Sequence, residues 1–283
     1  MKLNLKLTAV ALGLVAAGAA APTFAANPWA DRVVEYLQGT GVNDEFPKDF
    51  VTGNLINNPQ TALGEPTRFA SDPANWGGPT TPFSSAYRDH EIVSIGIGGS
   101  LTLQFNEPVQ NHPLNPYGID LLIFGNSFYA IDGETAKGDA SIGGGEIEVS
   151  ANGVDFFSVS GIADGLFPTV GYLDVTTPFP SEHGQVLSDF TKPVNPAALS
   201  NVVGMTTADI IAAYDGSGGG VGVDIASTGL ASISYVRITN PLTATNTVEI
   251  DAMADVRAVP EPATLALGAL AACGLWSVRR RQR

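Results

Sequence analysis

Glu146-Ile147-Glu148-Val149-Ser150-Ala151-Asn152-Gly153-Val154-Asp155-Phe156 decides the fold class. Ile147 and Val149 alternate with polar neighbours, the period-two pattern of a strand with one buried face. Asn152-Gly153 suits the left-handed backbone of a tight hairpin turn. The spacing predicts a strand over 145–150 and an antiparallel return over 155–159.

Similar patterns recur on both sides. Leu101, Leu103 and Phe105 alternate within 100–105. Residues 119–124 are apolar almost throughout, as expected for a strand covered on both faces. Two further strands are expected over 233–239 and 247–256. In the last, Val248, Ile250, Ala252 and Ala254 lie on one face and Glu249, Asp251 and Asp255 on the other. Helix is scarce: Thr207 is expected to cap a short helix over 208–214, ended by Gly216. Segments 39–99 and 161–205 are rich in Gly, Pro and Asn and read as long loops. The fold class is mainly β: an antiparallel β-sandwich with long loops at its ends and one short helix.

Both ends of the chain differ from this middle. Lys2 and Lys6 precede the apolar run 7–21, and small residues lead to Thr23-Phe24-Ala25. That is the layout of a secretory signal helix over 1–25, with the cut expected after Ala25. At the other end, Pro260-Glu261-Pro262 precedes the uncharged run 263–278, and Arg279, Arg280, Arg281 and Arg283 follow. The prolines separate the run from what precedes it. A helix of that length covers roughly 24 Å, against a hydrocarbon core of ~30 Å, and the arginines can snorkel to the interface. Their charge keeps them cytoplasmic. The tail, 259–283, is therefore read as a transmembrane-type helix with a basic stop, either kept as an anchor or removed.

The domain between, 26–258, excludes several function classes. The chain has 14 Lys and Arg against 28 Asp and Glu. Without the two end segments, 8 basic and 27 acidic residues remain, a net charge near −19. Nucleic-acid phosphates would be repelled, whereas divalent cations would be attracted. The single cysteine, Cys273, lies in the terminal apolar run, so no internal disulfide can form.

The tail resembles the PEP-CTERM sorting signal, with the Pro-Glu-Pro, the apolar stretch and the arginine cluster in that order. The resemblance implies recognition by an exosortase-type processing enzyme and residence in the inner membrane before processing. Gly98-Gly99-Ser100-Leu101-Thr102-Leu103, 146–156, Tyr235-Val236-Arg237-Ile238 and Glu249-Ile250-Asp251-Ala252 together resemble the discoidin or galactose-binding-like jelly-roll sandwiches. That resemblance implies one structural calcium near the joined ends of the domain. The domain also resembles exported PEP-CTERM proteins of no known activity, through Ala62-Leu63-Gly64-Glu65-Pro66 and 118–126.

No catalytic motif assembles in the sequence. His90, His112 and His183 are far apart and lack metal-ligand spacing. There is no Gly-x-Ser-x-Gly elbow. Gly96-Ile97-Gly98-Gly99-Ser100 precedes a strand and lacks the phosphate-loop lysine, so it reads as a tight turn. Gly219-Gly220-Val221-Gly222-Val223-Asp224 starts like a calcium-binding nonapeptide, but such repeats work by stacking and one copy cannot. It reads as a flexible loop feeding a strand over 221–226. Asp120, Asp224 and Asp251 lie in or beside predicted strands and are the candidate calcium ligands, since a buried carboxylate needs donors or a cation. Trp29, Trp76, Tyr87, Tyr117, Phe128 and Tyr129 fall in loops, where aromatic faces either pin the loops or stack on sugar rings. The sequence is therefore read as an exported, non-enzymatic component of the cell surface or extracellular polysaccharide matrix, either structural or carbohydrate-contacting. A polysaccharide-acting hydrolase and a protein-binding surface module are the alternatives.

Overall fold

The computed structural model describes residues 27–70, 77–140 and 142–257. The signal helix expected over 1–25 lies outside them. So does the tail, with Pro260, Glu261, Pro262, Arg279, Arg280, Arg281 and Arg283. Among the described residues no helix is long and apolar enough to cross a membrane.

Among the described residues thirteen strands alternate with long loops: β1 (Arg32–Leu37), β2 (Phe69–Ala70), β3 (Gly78–Pro79), β4 (Val93–Ile95), β5 (Ser100–Gln110), β6 (Leu121–Gly125), β7 (Tyr129–Asp132), β8 (Thr135–Ala140), β9 (Glu146–Ser150), β10 (Phe157–Val159), β11 (Val221–Val223), β12 (Ser232–Thr239) and β13 (Val248–Asp255). Every pairing between them is antiparallel. One sheet runs β1-β5-β12-β9-β10, a second β11-β6-β13-β4, and β2-β3 and β7-β8 form two small ribbons. The described residues are mainly β with one α-helix, α1 (Thr207–Tyr214), as the patterning predicts.

The two larger sheets share one core. Leu101, Leu103, Ile147, Val149, Val236 and Ile238 from the first meet Val93, Ile95, Leu121, Ile123, Val248 and Ile250 from the second, all fully buried. The opening hairpin forms as expected. Val149 pairs with Phe157, and the Asn152 side chain accepts from the amides of Val154 and Asp155. The run in β6 is covered on both faces: Leu122 and Phe124 point away from the shared core, against Phe190, Ala252 and Ala254.

Three local expectations are corrected. In β13 the register against β6 slips between Ile250 and Ala252. Asp251 is the extra residue, and the slip reverses the faces beyond it. Met253 enters the shared core, while Ala252 and Ala254 join the outer layer. The helix begins one residue early, capped by Thr206, whose hydroxyl accepts from the Asp209 amide while Asp209 accepts from the Thr206 amide. It ends at Asp215 in a left-handed conformation, ahead of Gly216. Strand β11 stops at Val223, because Ile225–Thr228 turns into a short 3-10 helix.

The glycine-rich segment before β11 is packed, where a flexible loop was expected. The Gly218 amide donates to Asp189 and the Gly220 amide to Phe167. Gly219 has φ +89°, and a Cβ there would lie 2.3 Å from the Pro168 carbonyl oxygen. Gly219→Ala therefore combines left-handed strain with a backbone clash, at a cost of about 2–3 kcal/mol. A denaturant titration should show that loss, and an unchanged midpoint would refute the packing argument.

The long loop 161–205 is not loose either. Val170, Val194 and Val202 pack with Ile210, Ile211 and Tyr214 of α1 and with Phe83 and Tyr129 into a second core. This layer fixes the surroundings of β7 and of the segment after β3.

Candidate functional site

A cleft of about 560 Å³ opens where these loops meet the end of β6. Six aromatic side chains line it: Phe50, Phe83, Tyr87, Phe128, Tyr129 and Phe179. Ser84, Ser85 and Asn126 supply polar groups at its wall, with Ala130 and Ile131 completing it.

Each wall has a local cause. The Tyr129 amide donates to the Pro82 carbonyl, joining β7 to the segment after β3. The Thr81 hydroxyl donates to the Pro178 carbonyl at 2.7 Å, bringing Phe179 to the rim. Phe83 and Tyr129 are anchored in the second core. Phe50 and Tyr87 lie face to face, ring centroids 5.2 Å apart and planes within 10°. Their chain neighbours, Asp49 and Arg88, form a buried ion pair at 2.7 Å, and the Arg88 guanidinium lies 5.9 Å from the Tyr87 ring centroid. Phe50, Phe179 and Phe128 remain 63%, 52% and 40% exposed. Exposed aromatic rings collected around a hollow, with few polar groups, have the chemistry of a candidate ligand surface.

Of the six aromatics singled out in the sequence, Tyr87, Phe128 and Tyr129 meet here. Trp29 instead packs on the outer layer and bridges Ala254. Tyr117 is exposed beside the 3-10 turn before β6, and Trp76 lies outside the described residues. Phe50, Phe83 and Phe179 escape sequence reading, because their segments carry no periodicity.

The candidate calcium ligands divide. Asp120 accepts from the Asn115 side chain at 2.7 Å and from the amides of His112 and Ile225. Burial raises its pKa, those donors oppose the rise, and the nearby charge of Asp224 adds to it. Asp224 accepts from the Ala226 amide. Asp255 joins this neighbourhood, pushed up to about 7 by burial and then by the charges of Asp120 and Glu107. Asp251 is held elsewhere, accepting from the Thr67 amide and hydroxyl at 2.8 and 2.9 Å. Burial pushes it up to about 7.

Among the described residues, the one group close enough to share a cation is Asp49, Asp89 and His90. Its donors are already protein groups. Asp49 is saturated by Arg88 and by the amides of Val51, Thr52 and Asp89, and Asp89 accepts from Asn54 and Thr52. The group supports the cleft wall.

A buried carboxylate pair also escaped the sequence reading. Asp164 lies against Gly125 and Gly143, where a Cβ on Gly143 would come within 2.1 Å of its carboxylate. Burial raises Asp164 well above the carboxylate range, the Glu249 charge adds to this, and the amides of Glu249, Asn126 and Ser127 oppose it. Glu249 is raised by burial and opposed by the Thr247 and Ser94 hydroxyls. Neither carboxylate lines the cleft.

Among curated proteins, none matches the chain. Residues 258–281 match the PEP-CTERM protein-sorting motif, beginning at the residue after Arg257. That motif implies an exported protein, sorted by exosortase and held in the membrane by its C-terminus before processing.

Proposed function

We propose that this exported protein is a non-enzymatic component of the cell surface or extracellular matrix that holds carbohydrate in the aromatic cleft. The observation that carries the reading is the set of six aromatic rings around one open hollow. Sugar rings present apolar C–H faces that stack on such surfaces, while Asn126, Ser84 and Ser85 offer hydrogen bonds to hydroxyls at the wall. The described lining residues include no carboxylate, imidazole or amine that a hydrolase would need as acid or base. The strong negative charge of the domain disfavours nucleic acid and suits a hydrated polysaccharide matrix.

A glycan array probed with the processed protein tests this directly. Binding to at least one glycan is expected, with the affinity of Phe50→Ala/Phe179→Ala lowered at least tenfold. Both side chains are more than half exposed, so the fold should survive. Absence of binding, or binding that the double variant keeps, would remove the cleft as a sugar site. Cleavage of a bound glycan would move the reading to the hydrolase.

A further inference from the structure

The two ends of the described domain meet at one pole. The Asp255 amide donates to the Pro28 carbonyl at 2.7 Å, the Ala30 amide donates to Met253, and Trp29 bridges Ala254. Beyond β13 the chain is still tied down: the Val256 amide donates to Asp120 and the Arg257 amide to Thr191. The sorting motif starts at the very next residue. Five residues lie between Arg257 and Ala263, where the apolar run begins, a reach of at most ~20 Å fully extended. No long spacer separates the last tied residue from the membrane segment.

The sheet register then gives a direction. Leu121 lies beside Asp255, and Gly125 beside Ile250. Strand β6 therefore starts at the terminal pole and runs away from it. Asn126, Phe128 and Tyr129, which line the cleft, follow its far end. At ~3.4 Å per residue, the length of β6 sets the cleft roughly 17 Å farther from the terminal pole.

We infer that, while the tail is membrane-held, the domain stands with its terminal pole against the lipid surface and its aromatic cleft turned away from it. The pole comprises the Pro28–Ala30 segment, the Asp120 and Thr191 loops and the turn after β11. The partner of this face is the bilayer surface itself. The cleft meanwhile opens toward the extracellular side before any processing occurs. This orientation rests on the membrane-held tail and is independent of what the cleft binds.

Quenching by nitroxide-headgroup lipid in liposomes carrying the full chain tests the orientation. In a Cys273→Ser background, a fluorophore is placed at Ser227→Cys near the pole or at Ala130→Cys at the cleft, both exposed positions. Quenching is expected to be several-fold stronger at 227 than at 130. Inserting thirty Gly/Ser residues after Arg257 should erase most of the difference, because such a linker has a root-mean-square span of ~30 Å. Equal quenching in the parent chain, stronger quenching at 130, or a difference that survives the linker would each overturn the inference.

Discussion

Replacing Arg88 by alanine is expected to destabilise the domain by about 3–5 kcal/mol, because it strands a buried carboxylate without its counter-charge. Arg88 and Asp49 are 5% and 1% exposed. Burial alone would raise the Asp49 pKa. The Arg88 hydrogen bond and the amides of Thr52, Val51 and Asp89 together outweigh it and hold the carboxyl well below its usual range. Denaturant unfolding should show the loss. The double variant Asp49→Leu/Arg88→Met should recover much of it, since an apolar pair of similar volume costs far less than one orphaned charge. Under the proposed carbohydrate-binding role, affinity should fall in Arg88→Ala as well, because Phe50 and Tyr87 are the chain neighbours of Asp49 and Arg88 and stack on each other in the cleft lining. A stable Arg88→Ala variant would refute the supporting role of this network.

The second large effect is a stability that falls as pH rises toward neutrality. Asp251 and Asp255 both sit near pKa 7 in the folded protein, raised by burial from 3.8. A carboxyl with a raised folded pKa binds more protons folded than unfolded, so its stabilisation is complete below about pH 4 and lost between pH 4 and 7. Each such group contributes a slope of about 1.4 kcal/mol per pH unit across that window. Asp164 and Glu249 are shifted in the same direction. Asp49 and Asp89 act oppositely: their lowered pKa values give stability that is lost as pH falls below about 4. The melting temperature should therefore peak near pH 4–5 and drop by roughly 20–30 °C by pH 8. Asp251→Asn should flatten the upper limb by removing its contribution. A melting temperature that climbs steadily to pH 8 would contradict the burial of these carboxyls.

Sequence periodicity was a good guide to the unbroken central strands. Strand β9 and its Asn152-Gly153 turn, the start of β5, most of β12 and the doubly covered β6 follow directly from it. Alternation failed in β13 because one inserted residue, Asp251, turns the remaining side chains over, and no local pattern marks a bulge. The glycine-rich segment misled for a related reason. Composition suggests flexibility, whereas Gly219 and Gly220 are needed because Pro168 and Phe124 approach too closely for a side chain.

The cleft was half visible for the same physical reason. Tyr87, Phe128 and Tyr129 stood out as aromatics in loops, but Phe50 and Phe179 are brought to them by ties such as the Asp49–Arg88 pair and the Thr81–Pro178 bond. Those contacts join residues 39 and 97 positions apart. Long-range polar ties of this kind leave no trace in hydrophobic period. The scattered carboxylates illustrate the converse. Asp120 and Asp224 do meet, while Asp251 is satisfied by Thr67, whose distance in sequence gave no hint of the partnership.

The described domain has a direction, with its two ends at one pole and the aromatic cleft at the other end of β6. The claim that the cleft is where this exported domain meets its ligand is tested most directly by NMR. Oligosaccharides from the host's own extracellular polysaccharide would be titrated into the processed protein. The account predicts shift changes concentrated on Phe50, Tyr87, Phe128 and Phe179. Shifts centred instead on the hollow beside the β9–β10 hairpin, around Asn152 and Phe156, or no shifts at all, would contradict it.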